Sequence, residues 1–354
     1  MQTAPTSSST ERSEEAAPSR AADVGRIVTS SFRPAWWLPG PHLQTLWPSL
    51  IRPRPQPALR RERLELPDGD FLDLDWTPGT SGPLVLVLHG LEGSVHSHYA
   101  AGIMRALHAR GLRAVLMHFR GCSGEPNRLA RSYHSGETGD VNHVATELRR
   151  RHPDIPLAGV GYSLGGNVLL KWLGETGGDN PLAQAVAVSV PLRLDRAADR
   201  LEQGASRLYQ AYLLRSLRRS VGRKFRSREL SAPLALHELR RLRTFRAFDN
   251  AVTAPLHGFR DAHDYYARSS SRPFLGDIQV PTLILQAEDD PFLTRDALPD
   301  EQELAPAVTL ELSPRGGHVG FVTGRWPWRP RYWLEERIVE QLHPLMRTGL
   351  SAAT

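Results

Sequence analysis

The stretch GVGYSLGGNVLLKW, Gly159 to Trp172, joins a run of small apolar residues to a helix-like pattern through one serine. Ser163 stands between Gly161 and Gly165, where a sharp strand-to-helix turn would leave no room for a Cβ on either flank. Two readings follow from the turn alone. Either Ser163 is held out as a nucleophile, or it merely caps the helix that follows. The residues of the turn leave both open, and the surrounding chain has to separate them.

Outward from this turn, strand-like and helix-like patterns alternate. LVLVL (84–88) is a short continuous apolar run, as expected of a strand buried on both faces. A helical stretch around Tyr99 to Arg110 follows, then the run AVLMHF (114–119) and a helix near Val141 to Arg151. LAGVGY leads into Ser163, a helix over Leu164 to Glu175 comes next, and AVAVSV (185–190) resumes the strand pattern. PTLILQA (281–287) and VTLELSP (308–314) supply two late strands, with a closing amphipathic helix near Tyr332 to Leu345. Such alternation predicts an α/β fold with a doubly wound, mostly parallel sheet. From about 191 to 250 the strand pattern stops and the sequence is helical and rich in arginine, which reads as a helical cap inserted into the sheet domain. Before the alternation begins, RERLELPDGDFLDLDW carries apolar alternation on both sides of Pro67-Asp68-Gly69, a hairpin signal. Still earlier, Trp36, Trp37 and Trp47 lie among prolines, as a lid or edge packed on the domain or as an exposed docking patch.

Composition bounds the function. The 354 residues include 44 Lys and Arg against 38 Asp and Glu, a formal charge of +6. Lysine appears only at Lys171 and Lys224, and the arginines are spread along the chain without a nucleic-acid-reading module, so no nucleic-acid partner is expected. A single cysteine, Cys122, excludes an intrachain disulfide. The first 28 residues are rich in Ala, Ser, Thr, Glu and Pro, contain no apolar segment of a secretory signal, and are expected to be a disordered tail before one domain over 29–354. No apolar run is long enough for a transmembrane segment, so a soluble, cytoplasmic protein is expected. Oligomeric state is not readable.

A serine hydroxyl becomes a useful nucleophile only beside a base that is itself oriented by an acid. On this architecture the order along the chain is Ser, acid, His. LILQAEDDPFL offers Asp289 and Asp290 after a late strand; counting three positions from Ala287 selects Asp290, with Asp289 the rival. SPRGGHVGF places His318 after the last strand, with glycines that let it swing back towards Ser163. The oxyanion-hole donors expected are the backbone N–H of Leu164 and that of Leu91, in the HGLEGS loop. His89 is expected to hold that loop. His96 and His98 lack the carboxylates of a metal site, no dinucleotide loop is present, and Cys122 reads as structural, so neither metal nor cofactor is expected.

Several motifs beyond the turn resemble the YheT-like branch of the α/β-hydrolase superfamily. They are FRPAWWLPGPHLQTLWP near the start, LHGLEGSVHSHY, the long FRGCSGEPNRLARSYHSGETGD (119–140), and a spaced pattern from Asp249 to Asp289-Asp290. The resemblance covers nearly the whole chain after the tail. It implies an α/β-hydrolase fold, Ser163, Asp290 and His318 as charge-relay residues, and hydrolysis of carboxylic esters, from short- to medium-chain acyl esters to acylglycerols. The expected partner is therefore a small-molecule ester or lipid-like substrate. A thioesterase or amidase with the same triad, or a non-catalytic ligand-binding module on this fold, are the alternatives. The cap is expected to cover Ser163 and to set acyl-chain preference, with Leu213, Leu214 and Phe225 as candidate pocket residues.

Overall fold

Nine strands hydrogen-bond into one sheet: β1 (Arg26–Thr29), β2 (Arg60–Glu65), β3 (Phe71–Trp76), β4 (Leu84–Leu88), β5 (Arg113–Met117), β6 (Leu157–Tyr162), β7 (Gln184–Val188), β8 (Thr282–Ala287) and β9 (Val308–Ser313). The spatial order is β1-β9-β8-β7-β6-β4-β5-β3-β2. All neighbours from β1 to β5 pair in parallel, and β3 runs antiparallel to both β5 and β2. The computed structural model describes residues 24–53, 58–79 and 81–346.

The central strands are apolar throughout because helices cover both faces, so neither face can be left polar. On one face α3 (Thr138–Arg151) and α4 (Leu164–Thr176) bury Val144, Leu148, Leu169 and Trp172 against the sheet. On the other, α2 (His98–His108) and the C-terminal helix (Trp333–Leu342) bury Ile103, Leu107, Ile338 and Leu342. The predicted hairpin is β2 and β3, turning at Gly69, whose φ of 83° explains the glycine.

Two boundaries differ from the sequence reading. The tail expected through residue 28 is ordered from at least residue 24, because Arg26–Thr29 adds a parallel strand to the exposed edge of β9. An edge strand needs a neighbouring backbone more than its own apolar pattern, so its sequence carries little signal. The rest of the expected tail, residues 1–23, lies outside the described residues. The helical insertion leaves the sheet after β7 and comprises α5 (Leu194–Leu201), α6 (Ser206–Ser227), short turns over 245–257 and α7 (Ala262–Ser269), so it continues past residue 250. Its last part returns to the sheet domain, where the buried Asn167 of α4 donates to Ser269 O (2.7 Å) and accepts from Ser271 N–H (2.9 Å). The tryptophan-rich segment forms α1 (Pro41–Leu50), packed beside the loop that carries His318.

The chain leaves β4 through α2 towards β5, and leaves β6 through α4 towards β7 on the opposite side. The carboxyl ends of β4 and β6 therefore flank a topological switch point, where an open α/β sheet leaves a crevice. Among the described residues no helix is long and apolar enough to cross a membrane.

Candidate active site

Ser163 lies at that crevice with φ 52° and ψ −116°, a backbone conformation L-residues rarely adopt. The turn is held by Ser163 N–H donating to Val188 O (2.8 Å) and by Asn167 N–H donating to Ser163 O (3.0 Å). Its glycines are a steric requirement. A Cβ on Gly161 would stand 2.5 Å from Gly165 O, and one on Gly165 would stand 2.6 Å from the carbonyl oxygens of Leu88 and His89. The helix, the strand behind it and the neighbouring β4 loop approach so closely that only glycine fits.

The structure brings the predicted side chains together from three chain regions. His318 Nε2 is 3.0 Å from Ser163 Oγ, and His318 Nδ1 is 2.8 Å from Asp290 Oδ2. Asp290 is buried and its other oxygen accepts from Phe292 N–H (2.8 Å). Phe292 in turn stacks on the imidazole, with ring centroids 3.9 Å apart and planes within 3°. Asp289 faces elsewhere. Its Oδ1 accepts from Gly317 N–H (2.9 Å), tying down the residue before His318, and burial raises its pKa. The two aspartates thus divide the labour, one touching the imidazole and one touching its loop.

That loop is strained as well as anchored. Gly317 (φ 62°), Val319 (φ 51°) and Phe321 (φ 46°) all have positive φ. His318 N–H donates to Thr45 Oγ1 (2.9 Å) on α1, and Val319 N–H donates to Ser189 Oγ (3.0 Å) at the end of β7. Neither Thr45 nor Ser189 was identified from sequence. Both are small hydroxyl residues with no local motif, and no sequence signal marks them.

Leu91 and Leu164, the predicted oxyanion donors, flank the same crevice on the β4 loop and at the first turn of α4. Among the described residues neither amide donates an internal hydrogen bond. A Cβ on Gly90 would lie 3.3 Å from Ser163 Cβ, which shows how close the β4 loop comes to the serine. His89 fixes this loop, with Nδ1 2.8 Å from Gly90 O and Nε2 accepting from Phe119 N–H (3.1 Å). Burial pushes its pKa down to about 3, so it is a neutral spacer at ordinary pH. Glu92 also has positive φ (53°), and its backbone N–H donates to Tyr133 OH (2.8 Å). Its carboxylate accepts from Tyr133 OH, and from Ser216 and Ser220, one turn apart on α6 (3.1 and 2.5 Å). Glu92 therefore couples the loop after β4 to the helical insertion, a role sequence reasoning missed.

The other candidates lie in the loop after β5 and on α6. Cys122 lies in the loop after β5, where burial raises its thiol pKa well above the ordinary value. Leu214 packs with Leu239, Phe248 and Val252 inside the cap's own core, so it supports the cap and does not line a pocket. Phe225 is buried and Leu213 half-buried on the same helix. Among the described residues no cluster of three His, Cys, Asp or Glu side chains could hold a metal.

Comparison with known proteins agrees with this architecture. The profile of the alpha/beta hydrolase fold matches residues 83–325. The chain is 45% identical to the protein of Escherichia coli named "Putative esterase YheT" over 305 residues, 85% of this chain and 89% of that one. It is 30% identical to the phospholipase ABHD3 of Mus musculus over 325 residues, 89% of this chain and 78% of that one. Among solved structures it resembles the Pyrococcus furiosus esterase Pf2001, with a TM-score of 0.56 at 18% identity, covering 81% of this chain and 91% of that one. The chain belongs to the α/β-hydrolase fold family, in the group that includes YheT.

Proposed function

We propose that this protein is a serine hydrolase that cleaves carboxylic esters through an acyl-enzyme, with Ser163 as nucleophile, His318 as base and Asp290 as its orienting acid. The carrying observation is the unbroken relay from Asp290 Oδ2 to His318 Nδ1 (2.8 Å) and from Nε2 to Ser163 Oγ (3.0 Å). Esterase- and lipase-type hydrolysis is also what the names of the relatives describe.

With Asp290 accepting from Nδ1–H, Nε2 is free to take the Ser163 proton as Oγ attacks the ester carbonyl. The Phe292 ring restricts rotation of the imidazole, so the tautomer and its direction are fixed together. Negative charge developing on the carbonyl oxygen is met by the Leu91 and Leu164 N–H groups, each worth roughly 3–4 kcal/mol in comparable sites. His318 returns its proton to the departing alkoxide, releasing the alcohol and leaving the acyl group on Ser163. Water, deprotonated by the same imidazole, then attacks the acyl-serine and releases the carboxylic acid. The acyl range extends from short- and medium-chain esters to acylglycerols, one of which is named in the yeast relative, a monoacylglycerol lipase.

A fluorophosphonate probe and a panel of p-nitrophenyl esters from acetyl to palmitoyl provide the test. The wild type should be labelled on Ser163 and turn over at least part of the panel, whereas Ser163→Ala should lose labelling and turnover together. Persistent labelling in the alanine variant would remove Ser163 as nucleophile.

A further inference from the structure

Helix α1 has its polarity reversed. Its inner face is Gln44, Thr45 and Pro48, and Gln44 exchanges hydrogen bonds with the Val322 backbone (2.7 and 3.1 Å). Its outer face carries Leu43, Leu46 and Leu50 at i, i+3 and i+7, continued by Ile51, all exposed, with Leu50 at 74%. A surface helix ordinarily turns such a stripe inward.

Two neighbouring segments extend this apolar surface. Trp36, 72% exposed, donates from Nε1 to Arg325 O (3.0 Å) at the start of the segment RWPWRPR, 325–331. There Trp326 and Trp328 stack at 5.2 Å, with Trp328 72% exposed, and the Arg325 guanidinium lies 5.1 Å from the Trp326 ring centre. On the cap side, His42 of α1 is 3.0 Å from Tyr209 OH of α6. Leu208 and Tyr212, adjoining Tyr209 on the outward face of α6, are each 75% exposed. Beyond Tyr212 the outward face of α6 turns basic. The helix has seven Lys and Arg and no acidic residue, and Arg215, Arg219, Arg223 and Arg226 are exposed and make no ion pair among the described residues.

We propose that this face docks onto an anionic phospholipid surface, with the leucines and tryptophans in the boundary between headgroups and acyl chains and the α6 arginines over the phosphates. An exposed leucine stripe, interleaved tryptophan and arginine, and an adjoining unpaired basic stripe are the chemistry of interfacial attachment. The apolar parts are exposed helix and loop surfaces, which a fluid bilayer can accept without shape matching. The position also has a consequence for substrate. Thr45 of α1 holds the His318 backbone, and Tyr209 contacts Phe292 (ring centres 5.1 Å), which stacks on His318. Docking therefore sets the entrance beside the bilayer, suiting esters that partition into lipid; that second step rests on the proposed hydrolysis, whereas the docking does not.

The full-length chain with Ser163→Ala is sedimented with vesicles of phosphatidylcholine alone or mixed with phosphatidylglycerol, so that turnover plays no part. The mixed vesicles should bind the protein, and added salt or omission of phosphatidylglycerol should weaken binding about tenfold or more. Leu46→Ser with Leu50→Ser, Trp36→Ala with Trp328→Ala, and Arg215→Glu with Arg219→Glu should each weaken it about tenfold, with melting temperature unchanged because the side chains are exposed. Failure of the parent to sediment with mixed vesicles, or binding indifferent to all three variant pairs, overturns the proposal. So does a dimer in analytical ultracentrifugation that the leucine pair abolishes while vesicle binding is absent, which would make a second copy the occupant. Ester turnover by the chain with Ser163 intact is measured separately, so failed docking and failed hydrolysis are distinguishable.

Discussion

Ser163 holds a strained backbone at the carboxyl end of β6, where its hydroxyl meets His318 Nε2. Ser163→Gly should raise stability by about 1–2 kcal/mol in chemical denaturation while abolishing turnover, since glycine adopts φ 52° without a Cβ penalty. A matched Ser163→Ala should lose turnover without that gain, which isolates the backbone contribution. The neighbouring aspartates are separable at the same scale. Asp290→Asn should lower kcat by about four orders of magnitude, because an amide can donate to Nδ1 and favour the wrong tautomer. Asp289→Asn keeps an oxygen acceptor for Gly317 N–H, and its kcat should fall less than about tenfold. Equal losses in the two variants would show that the loop anchor matters as much as the imidazole partner.

Helix α6 is fastened by polar contacts along its length, beginning with Ser206 Oγ donating to Pro291 O (2.7 Å) and Tyr209 OH beside His42 Nδ1 (3.0 Å). Ser216 and Ser220 donate to Glu92 on the loop after β4, and Lys224 Nζ donates to Ala130 O, Arg131 O and Ser132 Oγ (2.8, 2.6 and 3.0 Å). Hydroxyl-to-carboxylate bonds in partly buried surroundings are worth about 1.5–3 kcal/mol each. Replacing both serines by alanine should therefore loosen the cap while leaving the sheet intact. Limited trypsin digestion should cut at the exposed Arg215 and Arg219 about tenfold faster or more, since local opening governs access. Unchanged digestion would mean that Lys224, the Ser206 and Tyr209 contacts and apolar packing hold the helix without Glu92. Because Glu92 adjoins Leu91, the same variant should also lower kcat for a small acetyl ester, in which cap contacts with a long chain play no part.

Across the whole molecule, largely buried imidazoles and carboxyls make stability depend on pH with opposite signs. Burial pushes His89 down to about 3 and His134 to about 2, and lowers His257 as well. In the unfolded chain these imidazoles protonate near pH 6.5, so below that the unfolded state binds more protons and their contribution falls as pH falls. Asp249, Asp289, Glu137 and Glu335 oppose this. Burial raises each of these carboxyls, Asp249 to about 6, which favours the folded state as pH drops below the raised value. A single imidazole contributes a slope of up to about 1.4 kcal/mol per pH unit, so its share is read by removing it. Between pH 7 and pH 5 the denaturant midpoint of His134→Gln should fall less, or rise more, than that of the parent. An identical pH dependence in the two proteins would contradict the burial of the His134 imidazole.

The sequence by itself determined the α/β alternation, the hairpin at Pro67-Asp68-Gly69, and the elbow around Ser163, because each is written in local periodicity or in glycine spacing. Burial on both faces makes a central strand apolar throughout, and close approach makes Gly161 and Gly165 obligatory, so these features are legible within a few residues. Chain order and strand ends also nominated Asp290 and His318, and the fold sets both in line with Ser163. Tertiary structure decided the rest. The bond from His318 N–H to Thr45 spans 273 residues, and the Glu92 contacts to α6 span 124 and 128. β1 is a strand only because the β9 edge is there to pair with, and the leucines of α1 face outward only because its polar side is claimed by the His318 loop. Such contacts depend on which surfaces meet after folding, and no local pattern encodes the identity of a partner a hundred residues away.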